Sequence, residues 1–281
     1  MPRRFCLVDV FHGEPPFSGN PLAVVLDAEG LTTEEMQRIT RWMNLSETAF
    51  LLPPTAAGAD YRVRIFTLER ELPFAGHPTL GSCHAWLQSG GIPQRETQVV
   101  QECGAGLIPV RCTEQTLAFA APPLIRSGPV DETTVQAMAG FLGIRRPEVV
   151  DAQWADNGPG WVVLLLRSAE AVLALDPPKT HPSRIELGVI GPYPPGDAAA
   201  FELRAFFSDH QGRVLEDPVT GSLNASAAQW LLSSGRATAP YTCAQGTRLG
   251  RSGRVFISQD GAGTVWVGGR TRTLFAGACG F

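Results

Sequence analysis

Two short stretches carry residue types that could do chemistry. They are Glu71-Leu72-Pro73-Phe74-Ala75-Gly76-His77 and Glu216-Asp217-Pro218-Val219-Thr220-Gly221-Ser222. Both read E-x-P-x-x-G and then a polar residue. Both follow an apolar run and precede a helix-like run that closes on Ser-Gly, at Ser89-Gly90 and Ser234-Gly235. A pattern repeated in this way is the mark of a duplicated unit. The copies differ at one position of consequence: Leu72 in the first is Asp217 in the second, so a carboxylate stands in only one of two equivalent places. In each copy a glycine, Gly76 or Gly221, lets the backbone approach a ligand closely just before a helix. The first N–H groups of a helix lack intrahelical partners and suit a carboxylate or phosphate. The competing reading is an ordinary N-cap at His77 and at Ser222, with Pro78 at the first helical position.

The ionisable candidates are Glu47, His77 and Asp217. Moving a proton between two carbons needs one group to take it and one to return it or steady the charge. A glutamate screened from water suits both steps, and an Asp–His pair can hold an imidazole in one tautomer. Taken singly, each has a plainer reading: Glu47 as a solvated loop residue, His77 as a helix cap, Asp217 as a turn residue before Pro218. Two-thiol racemisation is rejected, because none of the six cysteines (Cys6, Cys83, Cys103, Cys112, Cys243, Cys279) lies in either motif. A serine hydrolase could use Ser222, His77 and Glu47 or Asp217, but no G-x-S-x-G elbow is present. A non-catalytic binding scaffold is the third reading.

The elements that must position these groups follow from pattern. Phe5 to Phe11 reads as a strand, His12 to Gly19 as a loop, and Leu22 to Leu26 as a second strand. Thr32 and Glu35 have capping-box spacing and open a helix with Met36, Ile39 and Met43 on one face, ending near Asn44. Thr48 to Leu52 reads as a buried strand with Glu47 at its mouth. Tyr61 to Thr67 feeds the first motif. Leu80, Cys83, His84 and Leu87 then recur at helical spacing, and small residues beside them allow close packing. Val99 to Gln101 and Leu107 to Cys112 form a hairpin around Gly104-Ala105-Gly106, and Thr116 to Ala120 is a further strand. The second half repeats the plan, with Asp131 to Phe141 as the counterpart of the first helix, a strand at Trp161 to Leu166, and Phe201 to Phe207 feeding the second motif. Leu173 to Pro195, rich in proline, is the least regular segment. The resulting fold class is α+β: two pseudo-symmetric lobes facing each other, each a β-sheet wrapped around a central helix. The first lobe spans residues 1–124, completed by a C-terminal strand at about 268–281, and the second spans 125–267.

The chain has 281 residues and a net charge of -4. That length supports two domains, and the charge argues against nucleic acid or an anionic membrane surface as partner. No apolar run is long enough to span a bilayer, and no signal peptide is evident, so the expected location is cytoplasmic. No cysteine has metal-site spacing, and neither a dinucleotide fingerprint nor a P-loop occurs. No metal and no cofactor are expected.

At these residues the chain resembles the PhzF family, the phenazine-biosynthesis-like proteins that share a fold with diaminopimelate epimerase. The matching stretches are Phe17 to Pro21, Met43 to Phe50, Glu71 to Leu80, Glu216 to Ser222 and Gln245-Gly246 to Arg254. They run from the first strand to the last hairpin. The resemblance implies two pseudo-symmetric lobes, a homodimer, and a cofactor-free isomerisation by proton removal and return at carbon. It places the catalytic glutamate at Glu47, the histidine at His77 and the aspartate at Asp217. Substrate contacts fall on Ser46, Gly76, Gly221 and Ser222. The substrate implied is a small, cyclic carboxylic acid. Leu223 stands where the family often has alanine, which would reshape the pocket floor.

Overall fold

Runs rich in Val, Ile, Leu and Phe become strands, because branched and aromatic side chains fit a half-buried pleated surface. The computed structural model describes residues 2–209 and 211–281. The chain divides into two compact units, Met1–Ala120 with Gly268–Phe281, and Ala121–Val267.

In the first unit, β1 (Arg3–Val10) pairs antiparallel with β2 (Asn20–Val25). Helix α1 (Thr33–Met43) carries the chain back so that β3 (Glu47–Leu52) runs parallel to β2. Its capping box is formed as the sequence requires, with the Glu35 N–H donating to Thr32 Oγ1 at 3.2 Å and the Thr32 N–H donating to Glu35 Oε2 at 2.8 Å. Asn44 closes it in the left-handed conformation, φ 55°. β4 (Tyr61–Thr67) lies antiparallel to β3, and β5 (Glu71–Leu72) pairs with one end of β4. After α2 (Gly76–Gln88), β6 (Gln98–Cys103) pairs parallel with the other end of β4. β7 (Gly106–Cys112) and β8 (Leu117–Ala120) follow as an antiparallel meander.

The second unit opens with β9 (Arg126–Pro129) and α3 (Glu132–Phe141). β10 (Val149–Asp156) pairs antiparallel with β9 and with β11 (Val162–Leu166). α4 (Ala169–Leu173) leads to β12 (Glu186–Pro192), parallel to β11. β13 (Phe201–Ser208) is antiparallel to β12, and β14 (Val214–Asp217) is antiparallel to β13. α5 (Gly221–Ser233) is followed by β15 (Tyr241–Gln245), parallel to β13, by β16 (Gly253–Gln259), antiparallel to β15, and by β17 (Val265–Gly269). β18 (Thr271–Cys279) returns to the first unit and pairs antiparallel with β1. From β2 to β7 and from β11 to β16, the order and sense of pairing are the same.

Two readings of the sequence are corrected here. The helix starting after Asp131 precedes β10, whereas α1 sits between two parallel strands; the element in that position of the second unit is the short α4. The proline-rich segment from Leu173 contains β12, a fully formed strand whose centre is buried.

Helices α2 and α5 are the centres of their units. Both are buried on nearly every side along their first turns, as a helix inside a core must be. Small residues make that possible. A side chain at Gly81 would place its Cβ 2.4 Å from Leu22 Cδ2, so only glycine lets α2 lie on β1 and β2. In the second unit the close approach is shared differently: a Cβ at Gly188 on β12 would fall 2.6 Å from Leu223 Cδ1. Leu223 is fully buried in that contact. It therefore fills the core beside Gly188 and does not form a pocket floor.

Candidate active site

The glutamate of each motif is structural. Arg64 on β4 grips Glu71 with Nε to Oε1 at 2.7 Å and Nη2 to Oε2 at 2.6 Å. Arg204 on β13 grips Glu216 in the same way, at 2.9 and 2.7 Å. Each guanidinium also lies over the phenylalanine two residues on, Phe66 at 5.1 Å and Phe206 at 4.8 Å from the ring centroid. A bidentate arginine fixes both position and angle of a carboxylate, so the turn that follows starts from a fixed point in both units.

In the first unit that turn delivers α2 beside β3. Glu47, the first residue of β3, brings its Oε2 within 3.4 Å of His77 Nδ1. His77 Nε2 lies 3.4 Å from the carbonyl oxygen of Pro21. His77 is 4% exposed, and burial pushes its pKa down to about 4, against a smaller upward pull from the Pro21 carbonyl. The contact with Glu47 is therefore not a charged pair near neutral pH. The neutral ring has one proton to donate, and at equal distance it faces two oxygens, the Pro21 carbonyl from Nε2 and the Glu47 carboxyl from Nδ1. Ser46, next in the chain, is exposed, and Gly76 adjoins His77 as the first residue of α2.

The second unit presents Asp217 at the end of β14, opposite Ala205 of β13. Its Oδ2 accepts a 2.6 Å hydrogen bond from Thr220 Oγ1. Gly221 and Ser222 are the first two residues of α5. The Ser222 hydroxyl accepts from the Trp161 indole N–H at 3.1 Å, and its carbonyl accepts from Asn157 Nδ2 at 2.9 Å. The N-cap readings of His77 and Ser222 are thus overturned. The caps are Ala75 and Thr220, neither makes a side-chain cap bond, and both polar residues are the second residue of their helix. Pro78 is the third helical residue, where a missing N–H costs as little as at the first.

Residues 8–277 match the family described as phenazine biosynthesis-like protein (PhzC-PhzF). The chain belongs to that family. A protein of Schizosaccharomyces pombe named antisense-enhancing sequence 1 is 36% identical, over 97% of each chain. The trans-2,3-dihydro-3-hydroxyanthranilate isomerase of Pseudomonas aeruginosa is 33% identical, over 92% of this chain and 91% of that protein. Among solved structures, a PhzF-family protein of Enterococcus faecalis superposes with a TM-score of 0.80 at 24% identity, covering 100% of both chains. Several relatives bear isomerase names, and isomerase is the class of enzyme to which this PhzF-family chain belongs. Its α+β fold is that of the family and extends to a hydroxyproline epimerase of Agrobacterium vitis, with a TM-score of 0.59.

Within this family member, the first unit brings Glu47, His77, Ser46 and Gly76 together, and the second brings Asp217, Gly221 and Ser222 together. Five residues that hold these groups escaped the sequence reading: Arg64, Arg204, Trp161, Asn157 and Gln245. The arginines carry a legible signal, since Arg64-Ile65-Phe66 and Arg204-Ala205-Phe206 both precede a motif. Trp161, Asn157 and Gln245 are remote in sequence from the residues they hold; Gln245 lies in a stretch that resembles the family, and the other two carry no local pattern.

Proposed function

We propose that this PhzF-family isomerase works without a cofactor, moving a proton between carbons of a small, cyclic carboxylic acid. The two units are read as diverged copies of one plan, for which the matched order of β2 to β7 and β11 to β16 speaks. Glu47 is the general acid/base. Its carboxylate removes a proton from one carbon, the C–H electron pair forms a new double bond to the neighbouring carbon while the old double bond's pair shifts to the far carbon, and Glu47, its proton open to exchange with solvent, protonates that far carbon. Nothing is oxidised and no group leaves. The observation that carries this reading is the Glu47–His77 contact: a buried, neutral imidazole faces the Glu47 carboxyl at 3.4 Å, beside the group that takes up and gives back the proton. His77 and Asp217 orient the substrate or relay the proton. The N-terminal N–H groups at Gly76–His77 and Gly221–Ser222 hold the carboxylate. Ser46 contacts the substrate beside Glu47.

The test is carbon-bound proton exchange in D2O, followed by NMR. The compound to try first is trans-2,3-dihydro-3-hydroxyanthranilate, the one named for the Pseudomonas aeruginosa relative, with a panel of cyclic and amino carboxylic acids beside it. Exchange by the intact chain, reduced by about 10²–10⁴-fold in Glu47→Gln at unchanged thermal stability, is the expected result. Wild-type exchange rates in Glu47→Gln would refute the assignment.

A further inference from the structure

We infer that Thr220 is the positioning residue for Asp217, and that Gln245 sets the direction of the hydrogen bond between them. The catalytic consequence rests on the isomerase reading above; the geometry does not. Threonine at an N-cap ordinarily turns its hydroxyl to the first helical N–H groups. Thr220 does not, although it caps α5; its Oγ1 goes instead to Asp217 Oδ2 at 2.6 Å.

The polarity of that bond follows from Gln245, the last residue of β15, which has no exposed surface. Gln245 Oε1 accepts from the Thr220 N–H at 2.9 Å and from Asn224 Nδ2 at 2.8 Å. Gln245 Nε2 donates to the Asp217 carbonyl at 3.1 Å and to Thr220 Oγ1 at 2.9 Å. A flipped amide would set two donors against a backbone N–H and an acceptor against a backbone carbonyl, so the orientation is fixed. All four capacities of the amide are used. Thr220 Oγ1 therefore accepts from Gln245, and its single proton is left to point at the Asp217 carboxylate.

The duplicated copy supplies the control. Leu72 stands at the place of Asp217, and Ala75 at the place of Thr220. The place of Gln245 is held by Cys103, since Tyr61 pairs with Gln101 where Phe201 pairs with Cys243, so the first copy lacks the amide as well. The hydroxyl is present in the copy that has the carboxylate and absent in the copy that lacks it. Helix capping does not explain that pattern, since both caps lack a side-chain bond; service to Asp217 does.

The experiment compares Thr220→Val, which keeps the shape and removes the hydroxyl, with Thr220→Ser, which keeps the hydroxyl. Thermal unfolding first establishes that both are folded. In crystals, the Asp217 carboxylate is expected to leave its position in Thr220→Val and to keep it in Thr220→Ser. A carboxylate unmoved in Thr220→Val overturns the inference, whatever becomes of the isomerase reading. In the exchange assay, Thr220→Val should lower turnover about tenfold with KM little changed, and Thr220→Ser should recover most of it. Placed in an Asp217→Asn background, Thr220→Val should cost nothing further. Losses that multiply would show Thr220 acting on the fold and not through Asp217, and would also overturn the inference. If the wild-type chain exchanges no carbon-bound proton, the isomerase reading fails, and the crystallographic comparison decides the positioning role by itself.

Discussion

Asp217 and Leu72 occupy matching places in two copies of one motif, and only the first can act on a charge. Asp217→Asn should therefore lower proton exchange at least tenfold while leaving the fold intact. Leu72→Asn should cost stability and leave turnover at the wild-type level. Equal kinetic damage from the two would remove the asymmetry on which the assignment of Asp217 rests. Ser222→Ala separates isomerase from hydrolase chemistry. It removes the acceptor of the Trp161 indole N–H, a loss of about 1 kcal/mol in denaturant unfolding. Turnover should survive it; abolition would return Ser222 to the role of a nucleophile. The place of Glu47 is legible in the sequence, because a helix ends just before it and the apolar run Thr48 to Leu52 begins just after it. His77 is legible as an ionisable residue of the motif, and the structure alters only its reading as a cap. Proline is tolerated anywhere in a first helical turn, so Pro78 could not say whether the helix starts two residues before it or at it.

At the scale of elements, the two motif turns hang on two ion pairs in different surroundings. The side chains of Arg204 and Glu216 are 5% and 11% exposed, while those of Arg64 and Glu71 are 19% and 38% exposed. Removing one partner of a buried pair leaves an uncompensated charge, whereas an exposed pair is worth little. Arg204→Met should thus cost about 3–5 kcal/mol and Arg64→Met about 1 kcal/mol or less in urea unfolding. Similar losses would mean that solvent reaches both pairs equally. Gly246 follows Gln245 at φ 85°, with the Pro218 carbonyl oxygen 2.6 Å from where a Cβ would stand; no larger residue can hold the second motif in place from there. Most elements could be read from periodicity, and the capping box of α1 was legible to the residue. β12 was not. It is covered on both faces, so it lacks alternation. Gly188 and Gly191 interrupt its apolar run because Leu223 on one side and Ser168 on the other need the space. Such glycines are dictated by neighbours distant in sequence, which a local pattern cannot contain.

At the scale of the whole molecule, an acid limit is expected from two histidines, His77 buried and His84 partly buried. His77 and His84 are both depressed to about 4, by burial in each case, with nearby His12 adding to the shift of His84. In the folded chain they stay neutral down to about that pH; in the unfolded chain they take up protons below the ordinary value near 6.5. Their contribution to stability is fully present above about pH 6.5 and is lost as the pH falls toward 4. For His77 the loss is on the order of 3 kcal/mol. Unfolding free energies measured between pH 7 and 4 should fall along this course, and replacing both histidines by asparagine should flatten it. An unchanged slope in that double variant would place the acid limit elsewhere.

β18 adds a constraint of a different kind. It is made last and pairs with β1, which is made first. Between β8 and β18 lies the whole second unit, Ala121–Val267. At roughly 5–20 residues per second, about 150 residues separate the emergence of β8 from that of β18 by roughly 8–30 s. During that interval on the ribosome, β1 has an open edge and the second unit can finish first, although it is encoded later. Glu47 thus belongs to the half of the enzyme that is begun first and completed last. A nascent chain stalled before residue 271 would carry a finished Asp217 half and an open-edged Glu47 half, the moment at which a chaperone or a stray strand has most to bind.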